Sequence, residues 1–154
     1  MGVEIERKYL LKNNDWKKLI ASSFKIKQGY LNSNIKRTVR VRIIDNKGFL
    51  TIKSKNIGIT RSEFEYEIPF KDAVSLLDLC EKPILKKTRN LVVFENRTWE
   101  IDDFEGVNKG LVIAEIELTS EKESLIIPTW IGKEVSDEAK YYNSSLITNP
   151  FKNW

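Results

Sequence analysis

With 154 residues, 41% of them hydrophobic and 31% charged, the chain has the makeup of one globular domain and is too short for two ordinary ones. It has no histidine and a single cysteine, Cys80, which excludes His-based triads, His-based zinc sites and an intramolecular disulfide, and points to a reducing, cytoplasmic setting. The net charge of +4 suits an anionic partner without selecting one, and neither a membrane span nor a signal-peptide core is expected from the hydropathy pattern.

Period-two alternation dominates, so the chain reads mainly as strands. The first is expected at Val3–Leu11 and is followed by a helical pattern over Asn14–Ser22, with Trp16, Leu19 and Ile20 on one side. Strands then follow at Phe24–Leu31, Lys36–Asp45, Gly48–Lys55 and Arg61–Pro69, with Asp45-Asn46-Lys47-Gly48 as a turn. A helix is expected over Lys71–Glu81, stopped by Pro83 and burying Cys80 as a small apolar residue. Strands at Ile84–Phe94, Arg97–Phe104 and Leu111–Thr119 come next, and the tail from Ile131 to Leu146 reads as partly helical. The short connections between the middle strands imply an antiparallel sheet.

Residues i and i+2 of a strand share a face, about 6.6 Å apart. Glu4, Glu6 and Lys8 share one face, as do Arg40 with Arg42, Lys53 with Lys55, and Arg61 with Glu63, Glu65 and Glu67. Lys87 and Arg89 share a face, Glu100 and Asp102 oppose Trp99 and Ile101, and Glu115 and Glu117 oppose Ala114, Ile116 and Leu118. A solvated polar face is the ordinary explanation of such alternation. Here, however, the polar face is almost wholly ionised, and like charges repeat within strands, whereas a face shaped only for solubility mixes signs. Segregation makes sense if anionic rows hold cations and cationic rows hold an anion. An eight-stranded barrel with the charged face inward would create that interior, and it would have to be hydrated, paired or liganded. Without histidine, a metal would be held by carboxylates, which favours Mg²⁺ or Mn²⁺. No P-loop string is present, so phosphate binding would fall to side chains of the sheet.

The ordered strings Glu4-Ile5-Glu6-Arg7-Lys8, Gln28-Gly29-Tyr30-Leu31, Arg40-Val41-Arg42, Thr51-Ile52-Lys53, Arg61 to Pro69, Lys87-Thr88-Arg89, Trp99-Glu100-Ile101-Asp102, Ala114 to Leu118 and Tyr142-Asn143 resemble the CYTH superfamily, the triphosphate tunnel metalloenzymes, across nearly the whole chain. The resemblance implies an α+β fold in one domain over 1–154: an eight-stranded antiparallel β-barrel tunnel with flanking helices and a C-terminal helical segment. It also implies Mg²⁺- or Mn²⁺-dependent hydrolysis of a small triphosphate. By the same resemblance, Glu4, Glu6, Glu115 and Glu117 are expected as metal ligands. Glu63, Glu65, Glu100 and Asp102 would bind a second metal or hold the clamp. Lys8, Arg40, Arg42, Lys53, Arg61, Lys87 and Arg89 would grip the phosphates, with Tyr30 either bonding phosphate or packing beside Gln28. Lys140 stands where the family pattern has Arg and is expected at the terminal phosphate without a bidentate fork. Glu4 and Glu6 would serve the attacking water, and Lys53 or Lys87 would accept its proton.

Inorganic triphosphate is the first expectation for the substrate. A class IV adenylyl cyclase, a nucleoside or thiamine triphosphatase, and a noncatalytic polyphosphate binder are the rivals. Nucleic acid is not expected, because carboxylates share the cationic face and the aromatic residues Phe64, Tyr66 and Trp99 oppose it. Nothing in the sequence sets the oligomeric state, and a homodimer stays open.

Overall fold

The computed structural model describes residues 2–154. Eight strands make the barrel: β1 (Val3–Leu11), β2 (Ile20–Asn32), β3 (Arg37–Ile44), β4 (Lys47–Ser54), β5 (Thr60–Ile68), β6 (Glu81–Phe94), β7 (Arg97–Phe104) and β8 (Val112–Glu117). All neighbours are antiparallel, in the order β5-β4-β3-β2-β6-β7-β8-β1, and β1 closes the ring onto β5 through Val3–Ser62, Glu4–Arg61 and Ile5–Thr60. Closure removes the free edges that an open sheet of this size would expose. A ninth short strand, β9 (Ile131–Glu134), pairs with β1 at Tyr9 and Leu11, beyond the stretch that β5 uses. No helix among the described residues is long and apolar enough to cross a membrane.

Local chemistry explains the tight joints. The β3–β4 and β6–β7 hairpins turn on Asp45-Asn46 and Glu95-Asn96; Asp45, Glu95 and Asn96 all have positive φ, a conformation that Asn and Asp tolerate. α1 (Phe70–Leu79) packs Ala73 and Leu77 on the outer face of β3 and β4, and Cys80 joins them in the same apolar cluster with Val41. Two glycines allow the approach: a Cβ at Gly48 would meet Ala73 Cβ at 2.4 Å, and one at Gly29 would meet Cys80 Cβ at 2.7 Å.

Two expectations need correction. The helix foreseen over Asn14–Ser22 is only a 3₁₀ turn, Asp15–Leu19, and β2 starts at Ile20 because that segment pairs with Leu91 and Val92 of β6 through a register shift. Pro83 does not stop α1. The helix ends at Leu79, and Pro83 lies inside β6 where the β2 register shifts, an irregularity that spares proline the missing N–H. The tail is partly helical as foreseen, with a 3₁₀ turn at Ala139–Tyr141 and the single-turn α2 (Ser145–Thr148), preceded by the unforeseen strand β9.

Apolar packing lies mainly outside the barrel. Tyr9, Trp99, Ile101, Ala114 and Ile116 face outward and are covered by Trp16 and Trp130, with Trp99 edge-on to both Tyr9 and Trp130 at 5.6 and 5.8 Å. The inward rows change character along the barrel axis. Where β1 ends and β6 and β8 begin, the inward positions are Leu10, Leu85, Phe104 and Ile113, and Val135, Tyr141 and Leu146 of the C-terminal segment pack against them. That end is filled with a dry core, so the polar interior has a floor.

Candidate active site

Above this floor lies a cavity of about 200 Å³. Its wall is split by sign. The consecutive strands β4, β3, β2 and β6 contribute Lys53, Arg40, Arg42, Lys87 and Arg89, and their stretch over the cavity carries no carboxylate. The other four, β7, β8, β1 and β5, contribute Glu100, Glu115, Glu117, Glu4, Glu6, Glu63 and Glu65, with Lys8 and Arg61 among them. The alternation read from the sequence therefore builds two half-cylinders of opposite charge.

Ion pairs cross between and within the halves. Lys53 Nζ reaches Glu4 at 2.8 Å and Glu63 at 3.1 Å, and Arg61 Nε donates to Glu4 at 3.3 Å. Lys8 Nζ meets Glu115 at 2.9 Å and Glu6 at 3.3 Å, while Arg40 donates to Glu65 at 3.2 Å. Burial works to raise the Glu4 carboxyl, but Lys53 and Arg61 override it and hold it well below the usual carboxylate range. Glu115 behaves likewise: burial opposes its charge, and Lys8 and Arg89 keep it low.

Each half also contains charge that is not compensated. On the cationic side, Arg42 has no carboxylate partner among the described residues; its Nε and Nη2 donate to the Gln28 side-chain carbonyl at 3.0 and 2.8 Å. Burial, then Arg40 and Arg89, push the Arg42 guanidinium down to about 9. Arg40 Nε is buried with no acceptor. Lys87, fully buried at the floor, donates to Asp102 at 2.6 Å and lies 5.5 Å from the Phe104 ring. Burial pushes its ammonium down to about 7; Asp102 opposes this, while Arg89 and Arg42 add to it. On the acidic side, Glu6 stands directly opposite Glu117 across β1 and β8, and Glu100 opposite Glu115 across β7 and β8. Burial and neighbouring carboxylates, Glu115 first, raise Glu6. Glu100 and Glu117 are raised too, by burial and by the carboxylates around them. Like charges facing each other across a sheet repel. The cationic half thus offers Arg42 to an anion, and the facing carboxylate pairs of the acidic half leave room for a cation.

The carboxylate oxygens are hard ligands of the kind Mg²⁺ and Mn²⁺ take, and the repelled Glu6–Glu117 and Glu100–Glu115 pairs fit a cation between their members. Among the described residues no three carboxylates are already gathered at ligand distance; Lys8, Lys53, Arg61 and Arg89 engage, within 3.3 Å, one oxygen each of Glu4, Glu6, Glu100 and Glu115.

Two of the expected site residues do not line the cavity. Asp102, wholly buried, accepts from Lys87 Nζ and from Arg89 Nε and Nη2, at 2.6, 2.8 and 2.8 Å. Its oxygens are saturated by two cations. Lys140 turns outward, with Nζ 4.4 Å from the Trp154 ring centre and 5.2 Å from that of Tyr141. Conversely, Thr38, Asn56, Ser136, Tyr142, Asn143 and Ser144 line the cavity without having been assigned a role from the sequence. Thr38 was findable, since it shares the strand face of Arg40 and Arg42. Tyr30 is buried on the same wall, and its hydroxyl accepts from Gln28 Nε2 at 3.3 Å.

Comparison with known proteins agrees with this architecture. The CYTH domain model matches residues 2–148. An inorganic triphosphatase of Acetivibrio thermocellus is 46% identical, over 100% of this chain and 99% of its own length. An inorganic triphosphatase of Nitrosomonas europaea is 31% identical, over 93% of this chain and 95% of its own. The crystal structure of the inorganic triphosphatase NE1496 superposes with a TM-score of 0.66 at 28% identity, covering 94% of this chain and 93% of that one. With a split-sign barrel cavity and matches that run almost from end to end, the chain belongs to the CYTH domain family.

Proposed function

We propose that this chain hydrolyses inorganic triphosphate to pyrophosphate and orthophosphate. The observation that carries the reading is the cationic wall of Arg40, Arg42, Lys87 and Arg89 over a cavity of about 200 Å³, in which Arg42 donates to Gln28 instead of to a carboxylate, and burial with neighbouring cations pushes Arg42 and Lys87 down. A polyanion relieves that repulsion, and Arg forks with Lys point charges suit neighbouring phosphate groups. The volume is below the roughly 300–1,000 Å³ typical of pockets for drug-sized ligands, which favours a bare triphosphate. The names of the two curated relatives support the same substrate.

In this reading Arg40, Arg42, Lys53, Lys8, Arg61 and Arg89 grip the phosphate oxygens, and Lys53 and Lys8 release carboxylates as they do so. Lys87, about half neutral near pH 7, takes the proton of the attacking water, and Arg42 and Arg89 stabilise charge developing on the terminal phosphate. Glu4, Glu6, Glu117, Glu115 and Glu100 would hold Mg²⁺ or Mn²⁺, with Glu63 and Glu65 at the rim; such an ion neutralises phosphate charge and polarises water. The lone buried thiol of Cys80 supports a reducing, cytoplasmic location.

One observation favours a nucleoside triphosphate as second reading: a side pocket of about 110 Å³ adjoins the mouth between Ile35, Lys55, Ala139 and Tyr142. Orthophosphate release from tripolyphosphate and from ATP, each with Mg²⁺, Mn²⁺ or EDTA, tests both. Fast, EDTA-sensitive release from tripolyphosphate over ATP is expected. Preference for ATP would transfer the assignment to nucleotides, and pyrophosphate with a cyclic nucleotide would make the protein a cyclase.

A further inference from the structure

With Lys140 turned away to Trp154, the C-terminal segment brings no cation to the cavity, yet it supplies part of the lining through Tyr142, Asn143 and Ser144. Asn143 is the most constrained of these. Its Oδ1 accepts from Lys87 Nζ at 2.8 Å and from Gln28 Nε2 at 3.2 Å. Gln28 has no freedom to do otherwise, since its carbonyl receives Nε and Nη2 of Arg42 and its amide also donates to Tyr30. The Gln28 orientation is therefore dictated by Arg42, and the Asn143 orientation by Gln28 and Lys87 together. Two donors pin Oδ1, so the amide cannot flip, and Nδ2 is left with no acceptor among the described residues in a residue that borders the cavity. A neutral donor fixed beside the buried Lys87 is what a phosphate oxygen would use, and it adds no further charge to a crowded cationic wall.

We infer that Asn143 is a substrate-binding residue: its Nδ2 donates to an oxygen of the phosphate group lodged at the floor, while its Oδ1 holds Lys87 in place. This rests on the triphosphatase reading for its substrate. The C-terminal segment thereby does more than fill the far end of the barrel; it completes the phosphate site from below with a neutral group.

The test separates the donor from the acceptor. Asn143→Ala removes both, whereas Asn143→Asp keeps an acceptor for Lys87 and Gln28 but replaces the donor with an anionic oxygen. Affinity for a methylene-bridged, non-hydrolysable triphosphate with Mg²⁺ is measured by calorimetry, beside kcat and KM for tripolyphosphate and the Tm of each variant. Loss of one hydrogen bond to a charged group is expected to weaken binding and raise KM roughly tenfold or more in Asn143→Ala. Asn143→Asp is expected to be weaker still, with a Tm at or above that of the unaltered protein. If Asn143→Asp restores affinity, the residue acts only by holding Lys87 and the donor role is overturned. Unaltered binding and KM in both variants, with only Tm lowered, would also overturn it. If the unaltered protein binds the analogue but releases no phosphate, the hydrolase reading falls while the Asn143 assignment is still decided by the variants. If it neither binds nor hydrolyses, both fall.

Discussion

Asp102→Asn separates a carboxylate that organises cations from one that ligates metal. Asp102 Oδ2 accepts from Lys87 Nζ and Arg89 Nη2, and Oδ1 accepts from Arg89 Nε. Whichever way an asparagine is turned, its NH₂ faces a donor of Arg89 or Lys87. The best orientation loses one hydrogen bond, leaves buried Lys87 without a carboxylate partner and leaves Arg89 with Glu100 as its nearest counter-charge. Removing one partner of a buried ion pair costs about 3–5 kcal/mol. For a chain of 154 residues each kcal/mol corresponds to about 2–4 °C, so Tm should fall by roughly 6–20 °C. The loss should depend on pH. Burial works to raise the Asp102 carboxyl, but Arg89 and Lys87 hold it below its ordinary range. Its contribution is therefore present above an unfolded pKa of about 4 and disappears as pH falls through the lower folded value. Melting curves at neutral and acid pH should show the two proteins far apart at the first and converging at the second. The Mg²⁺ concentration for half-maximal turnover should not change. A Tm within about 2 °C of the unaltered protein, with a raised metal requirement, would refute the reasoning and return Asp102 to the metal-binding set.

Further predictions concern the two halves of the wall and the tail. Because burial and neighbouring cations lower Lys87 to about 7, kcat should rise with pH through that value and then level off; Lys87→Arg, which cannot deprotonate, should lose both the rise and most of the rate. Glu6, raised by burial and by Glu115, carries the opposite sign from Asp102: its charge costs stability once pH exceeds its unfolded value. Glu6→Gln should therefore melt higher than the unaltered protein in EDTA above about pH 8 and match it near pH 4, while losing turnover. Equal melting at both pH values would remove the like-charge argument for a cation between Glu6 and Glu117. Lys140→Ala should leave KM for tripolyphosphate within about twofold, since the side chain sits on Trp154 and an exposed contact of this kind is worth little; a large rise in KM would bring it back to the phosphates.

How much of this was legible in the sequence depended on the range of the interaction that decides each element. β1 and β7 follow the alternation to the residue, and β3, β4 and β5 to within one or two, because an inward charged row facing an outward apolar row is written into the strand itself. The segment at Ile20 is strand for a distant reason, its pairing with Leu91 and Val92, and Trp16 answers to the outer apolar cluster, not to a helical stripe. β9 exists because β5 leaves part of the β1 edge unpaired, which no local pattern in Ile131-Gly132-Lys133-Glu134 announces. In the site, the ionised residues were visible because like charges repeated at i and i+2, and only the order of strands around the ring revealed that they divide into an acidic and a basic half. Asn143 carries no charge pattern, and its placement follows from Lys87 and Gln28, which are distant from it in sequence. Asp102 shared the charged face with Glu100, yet it lies one step deeper, beside Phe104 and Ile113, where the interior turns apolar. Depth along the barrel axis therefore divides the carboxylates that line the cavity from the one that holds Lys87 and Arg89 in position.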